Sequence, residues 1–487
     1  MISLKSACLL CVLVVARPVA TTAEPWSQPL NAFSLRLSQA RFAADEQEQS
    51  VLSPVSIWLA LNFMREGTGG ETRQQMDQFL TLSTAQASEL NARLRELREL
   101  SVSRYFLGVE AKNNKGYGLL ISRVLPDSPA DRAGIAVGDL LLEINGAPVN
   151  SETNYGRVMD QVAEQIEAMI FSHAEGRLRP LKIKLKPVDT QRFPGVLMAN
   201  GLWNHATLPL RQEFLDSVSS KVQPAIFPLP EKPADAAEAI NRWLSTQLDE
   251  TTKALDAEML SDDVKFVLIN ALAFKGQWIQ EFDRQDTRPR DFHLADGTTT
   301  RPHLMHANRT ATFSAAENWK CLGLMFQGGS LQLLCFLPPP AEAPATTRQA
   351  LLPNVEEYNR LVAGLQSTPV DILLPRLSVS SEYLSLEKFL PTQGLALPFD
   401  RARADFSILS DASPVYISQM FQKADFTMDE TGATAKAVTG AIAKPRMTLA
   451  DPGPEFHADR PFSFVLRDTT SDLILFAGQV WNPSDAR

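Results

Sequence analysis

Residues 429–448, DETGATAKAVTGAIAKPRMT, are mostly small and end in a short cationic stretch that contains a proline. In an extended chain, successive side chains point to opposite faces. One face would carry bulk and charge, including Lys436 and Lys444, and the other would carry only Ala433, Ala435, Ala437, Thr439, Ala441 and Ala443. Such a strand could enter a crowded gap with its small face against a packed core. Because alanine and glycine are depleted in strands, a flexible linker is the alternative.

Two further patterns were considered for chemistry, and neither predicts a site. His303 and His306 have an H-x-x-H spacing, but no cysteine or carboxylate pattern accompanies them, so we expect no metal and no cofactor. The chain contains no G-x-S-x-G and no GNSGG-type stretch, which argues against a serine protease. We therefore expect a protein that is not an enzyme.

Composition limits the class of protein. The chain has 487 residues, 44% of them hydrophobic and 21% charged, which is ordinary for a globular protein of more than one domain. A net charge of −9 argues against a general nucleic-acid binder. No apolar run reaches the roughly 18 residues that a membrane span requires.

The first residues have the layout of a secretory signal peptide. Lys5 precedes an apolar run over residues 7–16 and then small residues, and we expect residues 1–23 to be removed. A buried N-terminal helix is the alternative. The predicted location is secreted or extracellular, or periplasmic in a bacterium. Asn308 begins an Asn-Arg-Thr triplet that predicts possible glycosylation in a host that glycosylates secreted chains.

Apolar periodicity divides the chain into three parts. Residues 26–100 have helical spacing, as in NAFSLRLSQARFA and SPVSIWLALNFMREGTGG. From residue 190 onward, runs such as VLMANGLW and FVLINALAFKGQW predict strands that are covered on both faces. Between these parts, residues 104–188 alternate short apolar strands with turn residues. This middle block is predicted to contain a helix over residues 156–171, with one face formed by Val158, Val162, Ile166 and Ile170.

Four segments carry a resemblance to a known family. They are VLSPVSIWLALNFMREGTGGETRQQM, LINALAFKGQWIQEFDRQDT, YISQMFQKADFTMDETGATA and FHADRPFSFVLRDTTSDLILFAGQVWNP. In this order they resemble the serpin family of serine protease inhibitors, over nearly all of 26–103 and 190–483. The resemblance implies an α+β fold of large mixed sheets with an exposed reactive loop at about 430–456. The serpin parts would be residues 24–103 and 189–487.

The resemblance also implies a mechanism. A protease cuts the reactive loop, the loop inserts into the main sheet as a new strand, and the protease is trapped as an acyl-enzyme. DETGATAKA resembles the inhibitory hinge, with Glu430 as hinge glutamate, Gly432 as hinge glycine, and Ala433, Ala435 and Ala437 among the first residues to insert. Ala433 replaces a commoner Thr or Ser but is still small.

The family spacing locates the bond that a target protease would cut. It lies sixteen positions beyond the hinge glutamate, which is Arg446, between Pro445 and Met447. An arginine fits a protease whose specificity pocket carries a carboxylate, so the expected partner is a trypsin-like serine protease in a covalent trapped complex. A bond shifted by a few residues, for instance to follow Lys444, is the alternative.

Other residues take roles by the same resemblance. Ser53, Ser56, Asn270 and Gln422 correspond to the polar cluster where the strands of the main sheet part, called the shutter, with Gln422 in place of a frequent histidine. Trp278 would lie at the top of the opening, called the breach, where Arg376 is the candidate partner of Glu430. Ordinary packing is the alternative for each of these residues.

The middle block resembles a PDZ domain, chiefly in VLPDSPADRAGIAVGDLLLEINGAPV. The resemblance assigns the carboxylate-binding loop to YFLGVE, with Leu107, Gly108 and Val109, and the groove helix to Val158 and Val162. Such a groove would hold C-terminal peptide tails and recruit a protease or an envelope protein. The alternative is a module that only spaces or stabilises.

Cys321 and Cys335 flank a predicted hairpin centred near Gly328, so we expect them almost opposite each other on adjacent strands. An opposed pair in a secreted chain can form a disulfide, and two buried free thiols are the alternative. The chain is predicted to be a monomer. Its function is predicted to be protease inhibition, and a non-inhibitory serpin or a PDZ-based binding scaffold remains the alternative.

Overall fold

A computed structural model of the chain gives its fold. The residues that it describes are 26–44, 49–81, 86–90, 92–93, 105–114, 118–124, 128–149, 155, 158–159, 162, 164–187, 195–221, 225–248, 255–260, 264–327, 329–339, 351–380, 384–412, 414–433 and 453–483. No helix within these ranges is long and apolar enough to cross a membrane. The signal peptide predicted over residues 1–23 lies outside them.

Helices form within residues 26–100, where the sequence predicts helical spacing, and further α-helices follow along the described chain. The α-helices of the described residues include α1 Ser27–Ala43, α2 Pro54–Arg65, α3 Gly70–Leu80, α4 Pro129–Arg132, α5 Gln212–Lys221, α6 Pro233–Leu248, α7 Val355–Ala363 and α8 Leu386–Thr392. Helix α2 has proline in its first turn, where the missing N–H costs nothing, and every one of its residues is buried. Helix α7 begins with a capping box between Asn354 and Glu357. Short 3₁₀ turns cover Ala257–Met259, Arg284–Asp286 and Leu397–Phe399.

The larger of the two main sheets has nine strands in the described part of the chain. Its order is β1 Gln49–Leu52, β26 Ile474–Val480, β25 Phe462–Asp468, β18 Leu331–Leu337, β17 Trp319–Met325, β16 His303–Ala316, β19 Gln366–Pro375 and β24 Glu455–His457, with β13 Arg288–Pro289 also paired to β16. Strands β18 and β26 are buried along their whole length. This sheet therefore forms one wall of the main core.

The second main sheet has seven strands among the described residues. Its order is β11 Ala225–Pro228, β10 Gly195–Asn204, β12 Phe266–Gln277, β23 Gly432–Ala433, β22 Gln419–Met428 and β20 Leu377–Ser380, with β21 Leu384–Ser385 also paired to β22. Strand β12 is central, and its residues alternate between two apolar layers. Leu268 and Leu272 enter the main core, and Val267 and Ile269 pack in a second cluster that includes α6 residues. The prediction of strands covered on both faces is confirmed.

The middle block has a sheet and a core of its own. Within the described residues the sheet has six strands: β3 Val109–Asn113, β4 Leu119–Val124, β5 Leu140–Ile144, β7 Gln165–Ser172 and β8 Arg177–Lys184 in that order, with β6 Ala147–Pro148 paired to β5. Strands β2 Tyr105–Phe106 and β9 Lys186–Pro187 pair with each other, and so do β14 Phe292–His293 and β15 Thr299–Thr300 elsewhere in the chain. The molecule is therefore α+β, as predicted.

The helix predicted over residues 156–171 is wrong in its second half. Tyr155, Val158 and Met159 are helical, but β7 is a strand in which Ile166 and Ile170 face the core of the block. Apolar residues four positions apart satisfy a period of two as well as a period of 3.6. The buried Ala168 between them shows which period applies here.

Candidate functional site

The seven-stranded sheet opens at one end. Strands β12 and β22 are parallel and pair directly from Val267 opposite Gln419 to Ala273 opposite Asp425. Beyond this point β23 lies between them. Ala433 of β23 pairs with Gly276 of β12 on one side and with Met428 of β22 on the other. The two residues of β23 thus occupy a gap between strands that are otherwise neighbours.

Gly432 stands at the entrance of the gap, where there is no room for a side chain. A Cβ atom added to Gly432 would lie 1.9 Å from the carbonyl oxygen of Gly276. Ala433 follows and is completely buried in the main core. Small residues at both positions therefore allow the chain to approach the backbone of β12 closely.

The carboxylate of Glu430 is held by Arg376 at this end of the sheet. The Nε and Nη2 atoms of Arg376 donate to Oε1 of Glu430 at 2.9 and 2.7 Å. Burial alone raises the pKa of Glu430, but hydrogen bonds, chiefly from Arg376, outweigh it and leave the pKa below its usual value. The pairing predicted from the sequence is confirmed as a contact.

Trp278 closes the same end from the side of β12. Its backbone N–H donates to the carbonyl of Thr431, and its indole Nε1 donates to the carbonyl of Asp429, both at 2.9 Å. The ring stacks on Phe326 with centroids 4.3 Å apart. Trp278 therefore fixes the backbone that leads from β22 into β23.

The sequence patterns predict no role for Asp429, yet its carboxylate organises the turn before β23. Its Oδ1 accepts hydrogen bonds from the N–H and Oγ1 of Thr431 and from the N–H of Gly432. An Asp placed three residues before a Gly at the end of a strand is a turn signal that could have identified it.

The four shutter residues meet at the paired part of β12 and β22. The amide nitrogen of Gln422 donates to Oδ1 of Asn270 at 2.9 Å, to Oγ of Ser56 at 2.8 Å and to the carbonyl of Ser53 at 2.9 Å. Ser56 Oγ also donates to Oδ1 of Asn270. All four residues are buried, so the cluster joins the first turn of α2 to both strands.

The remaining loop residues lie outside the described residues. These are Ala435 and Ala437 of the hinge, and the predicted bait bond with Pro445, Arg446 and Met447. The chain is described again from residue 453, and β24 then pairs in parallel with β19. There the two carboxylate oxygens of Asp371 contact Nε2 of His306 at 2.7 Å and of His457 at 2.9 Å.

The predicted peptide groove is only partly supported by positions in the middle block. Gly108 has a positive φ of 91° and follows the buried Leu107, whose carbonyl accepts from the N–H of Ala130. Val109 begins β3, which is an edge strand among the described strands. Val158 is helical and partly buried, but Val162 lies beyond the helical residues and is buried in the core of the block. The assignment of Val162 to a groove-facing helix is therefore wrong.

The two described cysteines are buried free thiols. Cys321 pairs with Phe336 and Cys335 pairs with Leu322, so the predicted register is wrong by one residue. Because opposed residues share a face and neighbours alternate, the two side chains leave opposite faces of the sheet. Burial raises the pKa of the Cys321 thiol to about 12. The structure therefore agrees with two buried free thiols and not with a disulfide.

Two further predicted features can be located. Asn308, the possible glycosylation acceptor, lies within β16 opposite Asp371 and is partly buried. His303 and His306 also lie on β16. The described residues hold no group of three or more His, Cys, Asp or Glu side chains arranged to bind a metal ion.

Comparison with known proteins identifies both parts of the chain. The profile of the serpin family (serine protease inhibitor) matches residues 28–117 and 153–483, and that of the PDZ domain matches residues 120–168. Leukocyte elastase inhibitor A of Rattus norvegicus is 31% identical over 296 residues, covering 59% of this chain and 77% of the relative. A probable non-inhibitory serpin-Z9 of Oryza sativa subsp. japonica is 28% identical over 322 residues, covering 63% of this chain and 70% of the relative.

Solved structures give the same fold. Maspin superposes with a TM-score of 0.67 at 16% identity, covering 94% of this chain and 98% of that one. A complex of thyroxine-binding globulin with thyroxine gives a TM-score of 0.64 at 19% identity, covering 94% of this chain and 99% of the other. The chain therefore belongs to the serpin family, and a PDZ domain interrupts its serpin body.

Proposed function

We propose that this serpin inhibits trypsin-like serine proteases by taking its cleaved reactive loop into the seven-stranded sheet. The observation that carries the proposal is the position of β23. Gly432–Ala433 already pairs antiparallel with β12 and with β22 at the opening between them. A strand has been started there, and the residues that follow in the sequence are small.

The register of β23 predicts which core residues the inserted loop would contact. If the chain continued down the gap in this register, Ala435 would lie between Phe274 and Phe426, and Ala437 between Leu272 and Ala424. All four of these partners point into the main core. Opposed residues share a face, so the small side chains of the loop would enter that core.

The same register brings the loop to the shutter. Thr439 would lie between Asn270 and Gln422, whose side chains now bond to each other. Insertion would have to part this contact, and the threonine hydroxyl could donate to or accept from either amide. Strand addition would be driven by main-chain hydrogen bonds and buried area.

Arg446 at the predicted bait bond supports a trypsin-like target. The guanidinium suits a specificity pocket with a carboxylate. The N-terminal pattern supports secretion, in which case inhibitor and protease would meet outside the cell. The related leukocyte elastase inhibitor A of Rattus norvegicus is named for the inhibition of a protease, which supports an inhibitory role here.

The test is to incubate the purified full-length chain with a panel of trypsin-like proteases. We expect an SDS-resistant complex with at least one of them and the release of a peptide that begins at Met447. Proteases that prefer small or aromatic residues serve as the control panel. If every protease cleaves the loop and none is retained, the protein is a non-inhibitory serpin, as the name of the Oryza sativa relative suggests for that protein.

A second function is favoured by the middle block. Strand β3 is an edge strand in the described sheet, and the loop before it contains Gly108 with a positive φ. An extended peptide can add to such an edge, and backbone N–H groups near Gly108 can receive a C-terminal carboxylate. We propose that the PDZ domain recruits proteins by their C-terminal tails and raises the local concentration of the target at the reactive loop.

Peptide binding can be measured on the full-length chain. A library of labelled peptides with free C-terminal carboxylates would be titrated, with the same sequences carrying C-terminal amides as controls. Saturable binding of a carboxylate peptide, with loss of binding for its amide, is expected. If no member binds, the domain does not recruit partners in this way.

A further inference from the structure

Residues 429–432 form the turn that reverses the chain between β22 and β23. Strand β22 ends at Met428, and Met428 pairs with Ala433, so four residues make the reversal. Three of them, Asp429, Glu430 and Thr431, are less than 10% exposed. A turn this buried needs partners for its polar groups, because a buried N–H without a hydrogen bond loses its interaction with water and gains nothing in return.

A single carboxylate oxygen supplies most of these partners. Oδ1 of Asp429 accepts from Thr431 N at 2.8 Å, from Thr431 Oγ1 at 2.6 Å and from Gly432 N at 3.2 Å. The N–H of Asp429 donates to the carbonyl of Gly432 at 2.8 Å. The side chain and backbone of Asp429 therefore close the turn on themselves.

The outer edge of the turn is held from β12 and from the residues after it. Trp278 donates to the carbonyls of Asp429 and Thr431, and the N–H of Phe282 donates to the carbonyl of Glu430 at 2.9 Å. Glu430 turns its own carboxylate away, to Arg376. Asp429 is therefore the side chain that bonds the inner N–H groups of the turn, and Glu430 does not replace it.

We propose that Asp429 is a positioning residue for loop insertion: it sets the turn that directs the chain into the gap between β12 and β22. This proposal rests on the proposed function, because it concerns the same insertion step. With the turn formed, Ala433 is already in register and each later residue adds to an existing strand. Without the turn, the first residues must be ordered before the strand can grow. The acyl-enzyme then has more time to hydrolyse before insertion traps it.

Three variants separate geometry from charge. Asp429→Asn keeps an acceptor oxygen in the same place and should behave as the unchanged chain. Asp429→Ala removes the acceptor. Asp429→Glu keeps the charge but moves the carboxylate by one methylene, so it should resemble the alanine variant if position matters.

The first measurement is the number of inhibitor molecules consumed per protease molecule trapped, with a protease that forms the complex. Losing about 1 kcal/mol of hydrogen bonding should slow insertion about fivefold, so the ratio of cleaved to trapped inhibitor should rise about fivefold for the Ala and Glu variants, while the rate of bait-bond cleavage is unchanged. If Asp429 only stabilised the fold, its substitution would lower the melting temperature without changing the ratio of cleaved to trapped inhibitor. An unchanged number for Asp429→Ala would overturn the proposal.

The second measurement needs no target protease. The loop is cleaved with a protease that is not retained, and the gain of heat resistance that accompanies insertion is followed over time. We expect a slower gain for Asp429→Ala and Asp429→Glu and a normal one for Asp429→Asn. If the unchanged chain gains heat resistance but traps no protease, the proposed function fails while this proposal is still tested. If it gains none, insertion does not occur and both fail.

Discussion

At the scale of single residues, the breach is held by an ion pair whose strength depends on pH. Glu430 is 2% exposed and Arg376 is 27% exposed, so water screens the pair from one side only. Burial is the largest single influence on the pKa of Glu430 and raises it, but the hydrogen bonds from Arg376 and Thr287, together with the charge of Arg376, lower the pKa by more in total. The ionised form is therefore favoured in the folded protein.

The sign of this shift gives a prediction. A glutamate whose folded pKa lies below the ordinary 4.5 contributes stability that is complete above 4.5 and is lost as the pH falls through the folded value. We expect Glu430→Gln to melt at a lower temperature than the unchanged chain at neutral pH, and the difference to vanish in acid. Thermal denaturation across this range measures it. A difference that persists in acid would assign the effect to packing.

Arg446 should determine which proteases are inhibited. Arg446→Ala removes the cation that a trypsin-like specificity pocket requires, and we expect a loss of complex formation of about a hundredfold or more. Lys444→Ala is the matched control and should retain inhibition. The amount of covalent complex is measured on a non-reducing SDS gel. If Lys444→Ala loses inhibition and Arg446→Ala keeps it, the bait bond follows Lys444.

Ala433 tests whether insertion is the mechanism. Ala433→Arg would place an unpaired charge in the core, at a cost on the order of several kcal/mol, so the variant should be cleaved without trapping the protease. Ala433→Ser, which keeps a small side chain, is the control and should still inhibit. The ratio of cleaved inhibitor to complex measures the difference. Full inhibition by the arginine variant would contradict insertion.

At the scale of elements, the register of β23 predicts a contact that only an inserted strand could make. Continued down the gap, Lys436 would lie between Ala273 and Asp425, on the face away from the main core. Opposite charges across neighbouring strands contribute about 0.2–1 kcal/mol, and like charges oppose pairing. Lys436→Glu should therefore raise the amount of inhibitor consumed per protease, whereas Lys436→Gln should have a smaller effect.

The strands were easier to predict than their registers. Long apolar runs predicted β10 and β12, because a strand that is buried on both faces needs apolar residues along its whole length. The helix over residues 156–171 and the opposition of Cys321 and Cys335 were wrong for a shared reason. The helix prediction depended on choosing a period of 3.6 over a period of 2, and the cysteine prediction depended on a strand register that is off by one residue. The local sequence fits both alternatives in each case, and the partner strand decides between them.

At the scale of the whole molecule, the PDZ domain enters and leaves the serpin body at one place. Tyr105 pairs with Pro187 and Phe106 with Lys186, so the two ends of the block are neighbouring strands. Neighbouring strands lie about 5 Å apart. Domain insertions are tolerated where the ends of the inserted unit are close.

We therefore expect deletion of residues 104–188, with a short linker in their place, to leave a folded inhibitor. Its rate of trapping a small trypsin-like protease should be within about twofold of the full chain, since the hinge and breach are untouched. The block keeps its own apolar core, so the deletion should not expose the main one. Loss of inhibition, with the melting behaviour of the body retained, would contradict a modular role.

The amino-acid sequence was enough to recognise the serpin and PDZ resemblances and the order of the two units, because separate motifs match each family. It was also enough to predict the small face of the loop, which depends only on residue types at alternate positions. It also predicted that Glu430 and Arg376 would meet, and that Ser53, Ser56, Asn270 and Gln422 would cluster, through the resemblance of separate motifs. The folded chain was needed to see that β23 already occupies the gap, that Asp429 closes the turn, and that the two cysteine side chains point from opposite faces of their sheet. These facts depend on the register of strands distant in sequence, which long-range packing sets.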